Sequence, residues 1–173
     1  MNIPVRERAL SIATFRFIHV RLMEIAARWT PSIPEMEVKV MLGRHIWDFA
    51  QQADTLGKRT FELRLPEQHS LPPTPEYLGF LDAVVKAKTT SERIASLYEG
   101  VLPGLERRYR AYIAQTDPIL DEPSILILQR ILGDFERQRR EAAEVRSELA
   151  LPQASAAPFA TREGAIANVV VLA

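Results

Sequence analysis

Between Pro34 and Leu63 the apolar positions recur at helical spacing. Val38, Leu42, His45, Phe49, Gln52, Leu56 and Leu63 fall three, four or seven residues apart, along one seam of an α-helix. Glu37, Arg44, Asp48, Gln51, Thr55 and Glu62 take the other side. The run predicts a single helix of about eight turns whose core-facing seam carries a histidine and a glutamine. Trp47 falls at the margin of the buried arc, near Val40 and Phe61. As a core residue it would cost on the order of 3–5 kcal/mol when cut to alanine.

An earlier helix is predicted from about Pro4 to Trp29, with Phe15, Ile18, Leu22, Ile25 and Trp29 as its main stripe. Ala13, Phe17 and Val20 lie off that stripe, leaving mainly Thr14, Arg21, Glu24 and Arg28 for solvent. A helix apolar over most of its circumference is covered on two sides, so this one is either central or buried by a second subunit. The back of this helix is the ground for expecting a homodimer. Ser32, Pro34 and Glu35 spell a capping box, and the short link it sits in predicts an antiparallel hairpin of the first two helices.

From Leu65 the chain changes character. LPEQHSLPPTP is a proline-rich connection, and Thr74-Pro75-Glu76 starts a short helix to about Lys86. A second capping box, Thr89 to Glu92, opens a helix with Ile94, Leu97, Tyr98, Val101, Leu105, Tyr109 and Tyr112 as its stripe. Gly100, Pro103 and Gly104 sit inside that pattern and predict a kink or break near Leu102. Asp121-Glu122-Pro123 starts the last long helix, with Ile127, Leu128, Ile131, Phe135, Ala142, Val145 and Leu149 apolar. Glu136–Arg140, Arg137–Glu141 and Arg140–Glu144 are four apart and read as a solvated outer face. Residues 1–150 thus form a helical domain, and residues 151–173 read as a flexible linker and C-terminal tail.

Composition narrows the chemistry. The 173 residues carry 22 Lys plus Arg against 22 Asp plus Glu, so no overall basic field draws the chain to nucleic acid or an anionic membrane. Cysteine is absent, which removes disulfides, thiolate metal sites and cysteine nucleophiles. The N-terminal stretch is interrupted by Arg6, Glu7, Arg8 and Arg16, unlike a secretory signal, and no apolar run is long enough to span a bilayer. A cytoplasmic location is expected. Glu106 to Tyr112 mixes arginine and tyrosine, but Tyr109 and Tyr112 belong to the core stripe, so no nucleic-acid partner is expected.

Two helical hairpins joined by a crossover of about 25 residues make an all-α four-helix bundle. With that helix order and the stretch GRHIWDFAQQADTLGKRTFEL, residues 8 to 150 resemble the ferritin-like superfamily. The resemblance implies a bundle whose two iron ions would be held by a Glu from each of two helices and a Glu-x-x-His from each of the other two. Here Arg16, Leu42 and Pro66 stand three residues before His19, His45 and His69, and the last long helix has no histidine. The diiron set is therefore absent. The partial set, Glu24, His45, Asp48 and Glu99, comprises the candidate metal ligands for an atypical iron or manganese oxidoreductase. The preferred expectation is a binding or scaffold module without an intact diiron site and without a cofactor. Counting outward from the first interhelical turn places His45 level with His19, as an inward-facing pair. A small ligand in the bundle core would meet His19, His45, Gln52 and Tyr98.

Overall fold

The protein, described over residues 3–171 by a computed structural model, is helical wherever it is regular, with no strand among those residues. Helix α1 spans Val5–Trp29, and a 3-10 turn, Thr30–Ser32, leads into α2, Met36–Glu62. Helix α3, Pro75–Val85, lies within the crossover. The next helix, α4, is composite: Thr90–Ile94 is α-helical, Ala95–Val101 is π-helical and Leu102–Gln115 is α-helical again. Helices α5, Glu122–Glu148, and α6, Ala157–Ala165, complete the fold.

The helix starts follow local chemistry, once against expectation. Thr89 accepts from the Glu92 amide at 3.1 Å, and the Glu92 carboxylate accepts from the Thr89 amide at 3.2 Å, closing the capping box. The box at Ser32 does not form. Ile33 precedes a proline and is extended, with φ −86° and ψ 126°, so the helix cannot begin until Met36. The Ser32 hydroxyl donates to the Trp29 carbonyl at 3.0 Å, and the Glu35 carboxylate accepts from the Thr90 hydroxyl at 2.6 Å.

Helix α1 packs along α2, α2 against α5, and α5 against α4. Phe15 meets the rings of Tyr109 and Tyr112, with centroids 4.6 and 5.9 Å apart, and so ties α1 to α4. The Glu35–Thr90 bond puts the starts of α2 and α4 together, whereas Arg59, near the end of α2, binds Asp121 at the start of α5, 3.0 Å away. Ile12, Ile18, Leu22, Met41, Phe49, Leu56, Leu105, Tyr109, Leu128 and Phe135 form the fully buried centre of one apolar core.

The second apolar face of α1 is covered by the chain's own crossover. The Leu71 amide donates to the Ala13 carbonyl at 3.2 Å, Arg16 Nε to Gln68 at 2.9 Å, Arg21 to Asp82 at 2.9 Å, and Trp29 Nε1 to the Val85 carbonyl at 3.1 Å. Ala13 is fully buried beneath it, and Phe17 and Val20 are half-buried. The crossover therefore accounts for the burial of Ala13 and for part of that of Phe17 and Val20.

Trp47 is 66% exposed, with Val40 and Phe61 beside it on the open side of α2. At about 3.6 residues per turn it lies roughly opposite the Leu42–Phe49–Leu56 line, so the margin of the arc belongs to solvent. Trp47→Ala is therefore expected to cost less than about 1 kcal/mol in urea unfolding, the range of surface substitutions.

Residues 151–171, read as linker and tail, contain a docked helix. Helix α6 buries the Glu163 side chain completely, Val169 is buried behind it, and the Thr74 amide donates to the Val169 carbonyl at 2.9 Å. Most other α6 residues are exposed, which is why the sequence pattern carries no apolar stripe there.

Candidate functional site

The expected break near Leu102 is a change of pitch. Pro103 has no amide hydrogen for the Glu99 carbonyl, and the Leu102 amide reaches back five residues to the Leu97 carbonyl. The resulting π-helical turn carries Tyr98 inward, with its ring 5.4 Å from that of His45.

His45 is held at both nitrogens. Nδ1 lies 2.6 Å from the Tyr98 hydroxyl and Nε2 lies 2.9 Å from Glu141 Oε2. An ionised carboxylate only accepts, so Nε2 carries the proton and donates to Glu141, and the Tyr98 hydroxyl donates to Nδ1. Burial lowers the His45 pKa, outweighing the opposing hydrogen bond that His45 donates to Glu141, and so favours the neutral imidazole. Burial, with the Glu141 charge nearby, pushes the Tyr98 phenol far up and keeps it a donor. Burial works against the charge on Glu141, but the bonds from His45 and Arg137 outweigh it and hold its pKa below the ordinary value.

Around this chain the α2–α5 seam is ionic. Arg137 of α5 binds Asp48 at 2.8 Å, Asp134 at 3.3 Å and Glu141 at 3.3 Å. The Asp48 hydrogen bond is the largest cause raising the Arg137 pKa. The Gln138 amide donates to Asp48 at 3.0 Å, and the Gln52 amide donates to Asp134 at 2.9 Å. One guanidinium thus sits among three carboxylates where facing acidic residues would otherwise repel one another. The expected Arg137–Glu141 pair exists, but it faces α2 rather than bulk solvent.

His19 occupies a second polar centre. Its Nε2 lies 2.8 Å from the Tyr109 hydroxyl, and its ring stacks on Phe135 with centroids 5.8 Å apart. Its ring is 6.3 Å from Phe49, one turn beyond His45 along α2. Desolvation pulls its pKa down to about 3, although Gln52 alongside favours the charged form. The expected His19–His45 pair does not form, because both His45 nitrogens are taken and His19 turns to α4. His19 Nδ1, Gln52 Oε1 and Gln138 Oε1 are buried without a hydrogen-bond partner among the described residues.

The four ligand-binding candidates, His19, His45, Gln52 and Tyr98, are all buried, but they divide between these two centres. The four metal candidates do not converge. Glu24 is exposed and pairs with Arg21 at 3.3 Å, and Glu99 pairs with Arg146. Asp48 and His45 are each hydrogen-bonded elsewhere, as described above. Among the described residues no group of three or more His, Cys, Asp or Glu is arranged to hold a metal ion.

Sequence reasoning missed Asp134, Arg137, Gln138 and Glu141. One signal was present: Gln138 fills the helical step between Phe135 and Ala142 on the buried stripe of α5, as Gln52 does on α2. Tyr98 also forms a wall of a cleft of about 380 Å³ between α4 and α5, with Ile94, Glu99, Arg139, Arg140 and Ala143 around it. The chain matches no protein-family model, no curated protein and no solved structure. No helix among the described residues is long and apolar enough to cross a membrane.

Proposed function

We propose that this chain is a cytoplasmic binding protein on a ferritin-like four-helix bundle, taking a small molecule in the α4–α5 cleft and lacking a diiron site. The long helices pair as α1–α2 and α4–α5, and the crossover returns α4 to the end where α2 begins. The observation that carries the reading is Tyr98. A π-helical turn costs hydrogen-bond geometry and concentrates at functional positions, and this one presents Tyr98 to the cleft on one side and to His45 on the other.

The cleft volume falls in the range of about 300–1,000 Å³ typical of small-molecule sites. Ile94 and Ala143 offer an apolar floor, and Arg140 offers a cation at the rim. A compact, largely apolar ligand fits that lining, in which Glu99 and Glu136 offset the charges of Arg139 and Arg140. In the ionic seam, Arg137 supplies the positive charge that a metal would supply in a diiron bundle.

Protein from cells grown with added iron and manganese tests this by native mass spectrometry and elemental analysis. The expected result is below about a tenth of a metal per chain, consistent with the lack of a four-ligand cage. A small organic adduct is expected on the wild type and absent from Ala143→Trp, which fills the cleft. One tightly held metal per chain, or an adduct unchanged by Ala143→Trp, would overturn the proposal.

A further inference from the structure

Helix α6 is attached unlike any other element. It has nine residues, of which Glu163 alone is fully buried, and Phe159 is half-buried. A helix of that length with so little apolar burial is not held by a core. It is held by charge: Arg107 Nη2 lies 2.5 Å from Glu163 Oε2, and Arg108 Nε lies 2.8 Å from Oε1. Arg108 also donates to the carbonyls of Glu163, Ile166 and Ala167 at 3.2, 2.7 and 3.3 Å, so it reads the end of the helix as well as its side chain.

The receiving surface is shaped to match. A β-carbon at Gly104 would land on the Glu163 carboxylate, and one at Gly100 would come within 2.8 Å of Phe159 Cβ. The guanidinium of Arg108 lies over the Tyr77 ring, 5.6 Å from its centroid. The floor is therefore two glycines one turn apart, with two arginines and a tyrosine at one end. Once α6 lifts, Arg107 and Arg108 lose the carboxylate that both of them bind, leaving a groove complementary in shape and charge to a short acidic helix.

We propose that this groove is a helix-recognition site, filled here by the chain's own α6 and able to take in its place a helix from another molecule with an aromatic residue four positions before a glutamate. The occupant's chemistry follows from the contacts: an aromatic residue whose β-carbon rests on Gly100, and four positions later a glutamate that lies over Gly104 and meets the arginine pair. The site is separate from the cleft at Tyr98 and does not depend on a ligand there.

The test uses the full chain and a labelled synthetic peptide of residues 155–171. Loosening the internal helix by Glu163→Ala is expected to raise peptide affinity at least about tenfold over wild type, because the competing occupant is weakened. The same peptide carrying Glu163→Gln is expected to lose that gain. Gly104→Ala is a helix-favouring change that blocks the groove. It is expected to speed trypsin cleavage after Arg162 and to capture no peptide. A wild-type dimer that disappears on Glu163→Ala would identify the incoming helix as α6 of a second copy. Equal peptide binding by wild type and Glu163→Ala, binding by neither, or unchanged cleavage of Gly104→Ala would overturn the proposal.

Discussion

Asp121→Ala is expected to destabilise the protein by on the order of 3–5 kcal/mol, the cost of leaving a buried charge without its partner. Asp121 is fully buried where the end of α2, the end of α4 and the start of α5 converge. Its carboxylate accepts from Tyr112 and Thr116 at 2.7 Å, from Ser124 at 2.6 Å and from Arg59 at 3.0 Å. Removing it strands the Arg59 guanidinium, which is 7% exposed and retains Ser124 and the half-exposed Glu62. Urea unfolding at neutral pH measures the loss, and a change below about 1 kcal/mol would mean that the junction contributes no more than a surface pair. The same residue has an acid signature. Burial opposes its charge, but the bonds from Ser124, Tyr112, Thr116 and Arg59 outweigh it and lower the pKa. A depressed carboxylate stabilises above its unfolded pKa of about 3.9, and that stabilisation fades as pH falls through the folded value. The wild type should lose this contribution below about pH 4, and Asp121→Ala, lacking the group, should show a shallower decline there.

Acid should weaken the fold at a higher pH as well, through the histidines. The buried His19 has its pKa at about 3, and His45 is also lowered. In the unfolded chain each takes a proton as pH falls through about 6.5, whereas in the folded chain each does so only at lower pH. Their stabilisation is complete above that pH and declines below it, by up to about 1.4 kcal/mol per pH unit for His19, with His45 adding in the same direction. Urea unfolding between about pH 6.5 and 5.5 reads this window before the carboxylates take up protons. His19→Phe should reduce the slope by up to about one proton's worth there, whatever it does to stability at pH 7. An unchanged slope would show that His19 takes its proton in the folded state.

Much of the helical frame was legible from residue spacing alone. The start of α4 followed from Thr89 and Glu92, because that cap is closed by atoms three residues apart. The change of pitch at Leu102 followed from Pro103, because a missing amide hydrogen is a local fact. The start of α2 misled, since Ser32 and Glu35 have the residues of a cap while Pro34 holds Ile33 out of the conformation a cap needs. Trp47 misled for another reason: a position at the edge of a seam is buried or exposed according to which neighbours pack beside it.

The candidate site was legible one residue at a time. His45 and Gln52 stood out because each interrupts an apolar stripe, Tyr98 belongs to the stripe of its own helix, and all three are buried. Their partners did not stand out. Glu141 and Arg137 look like an ordinary surface pair four residues apart, and Glu163 lies in a stretch with almost no apolar pattern. Bonds spanning 96 residues, from His45 to Glu141, and 55 residues, from Arg108 to Glu163, leave no trace in local spacing.

By itself the sequence determined an all-helical chain, the positions of its helices as far as Glu148, the absence of cysteine and of any Glu-x-x-His, and several of the polar residues set into the core. Helical periodicity and caps are short-range, so they survive in one dimension. The tertiary structure alone decided that the crossover packs on the back of α1. It also decided that His45 answers to Tyr98 and Glu141 rather than to His19, and that α6 closes a glycine-floored groove through a buried glutamate. Those outcomes depend on which helix faces come together and how far each is rotated. Rotation is set by the packing of the whole core, where every helix competes for the same buried volume.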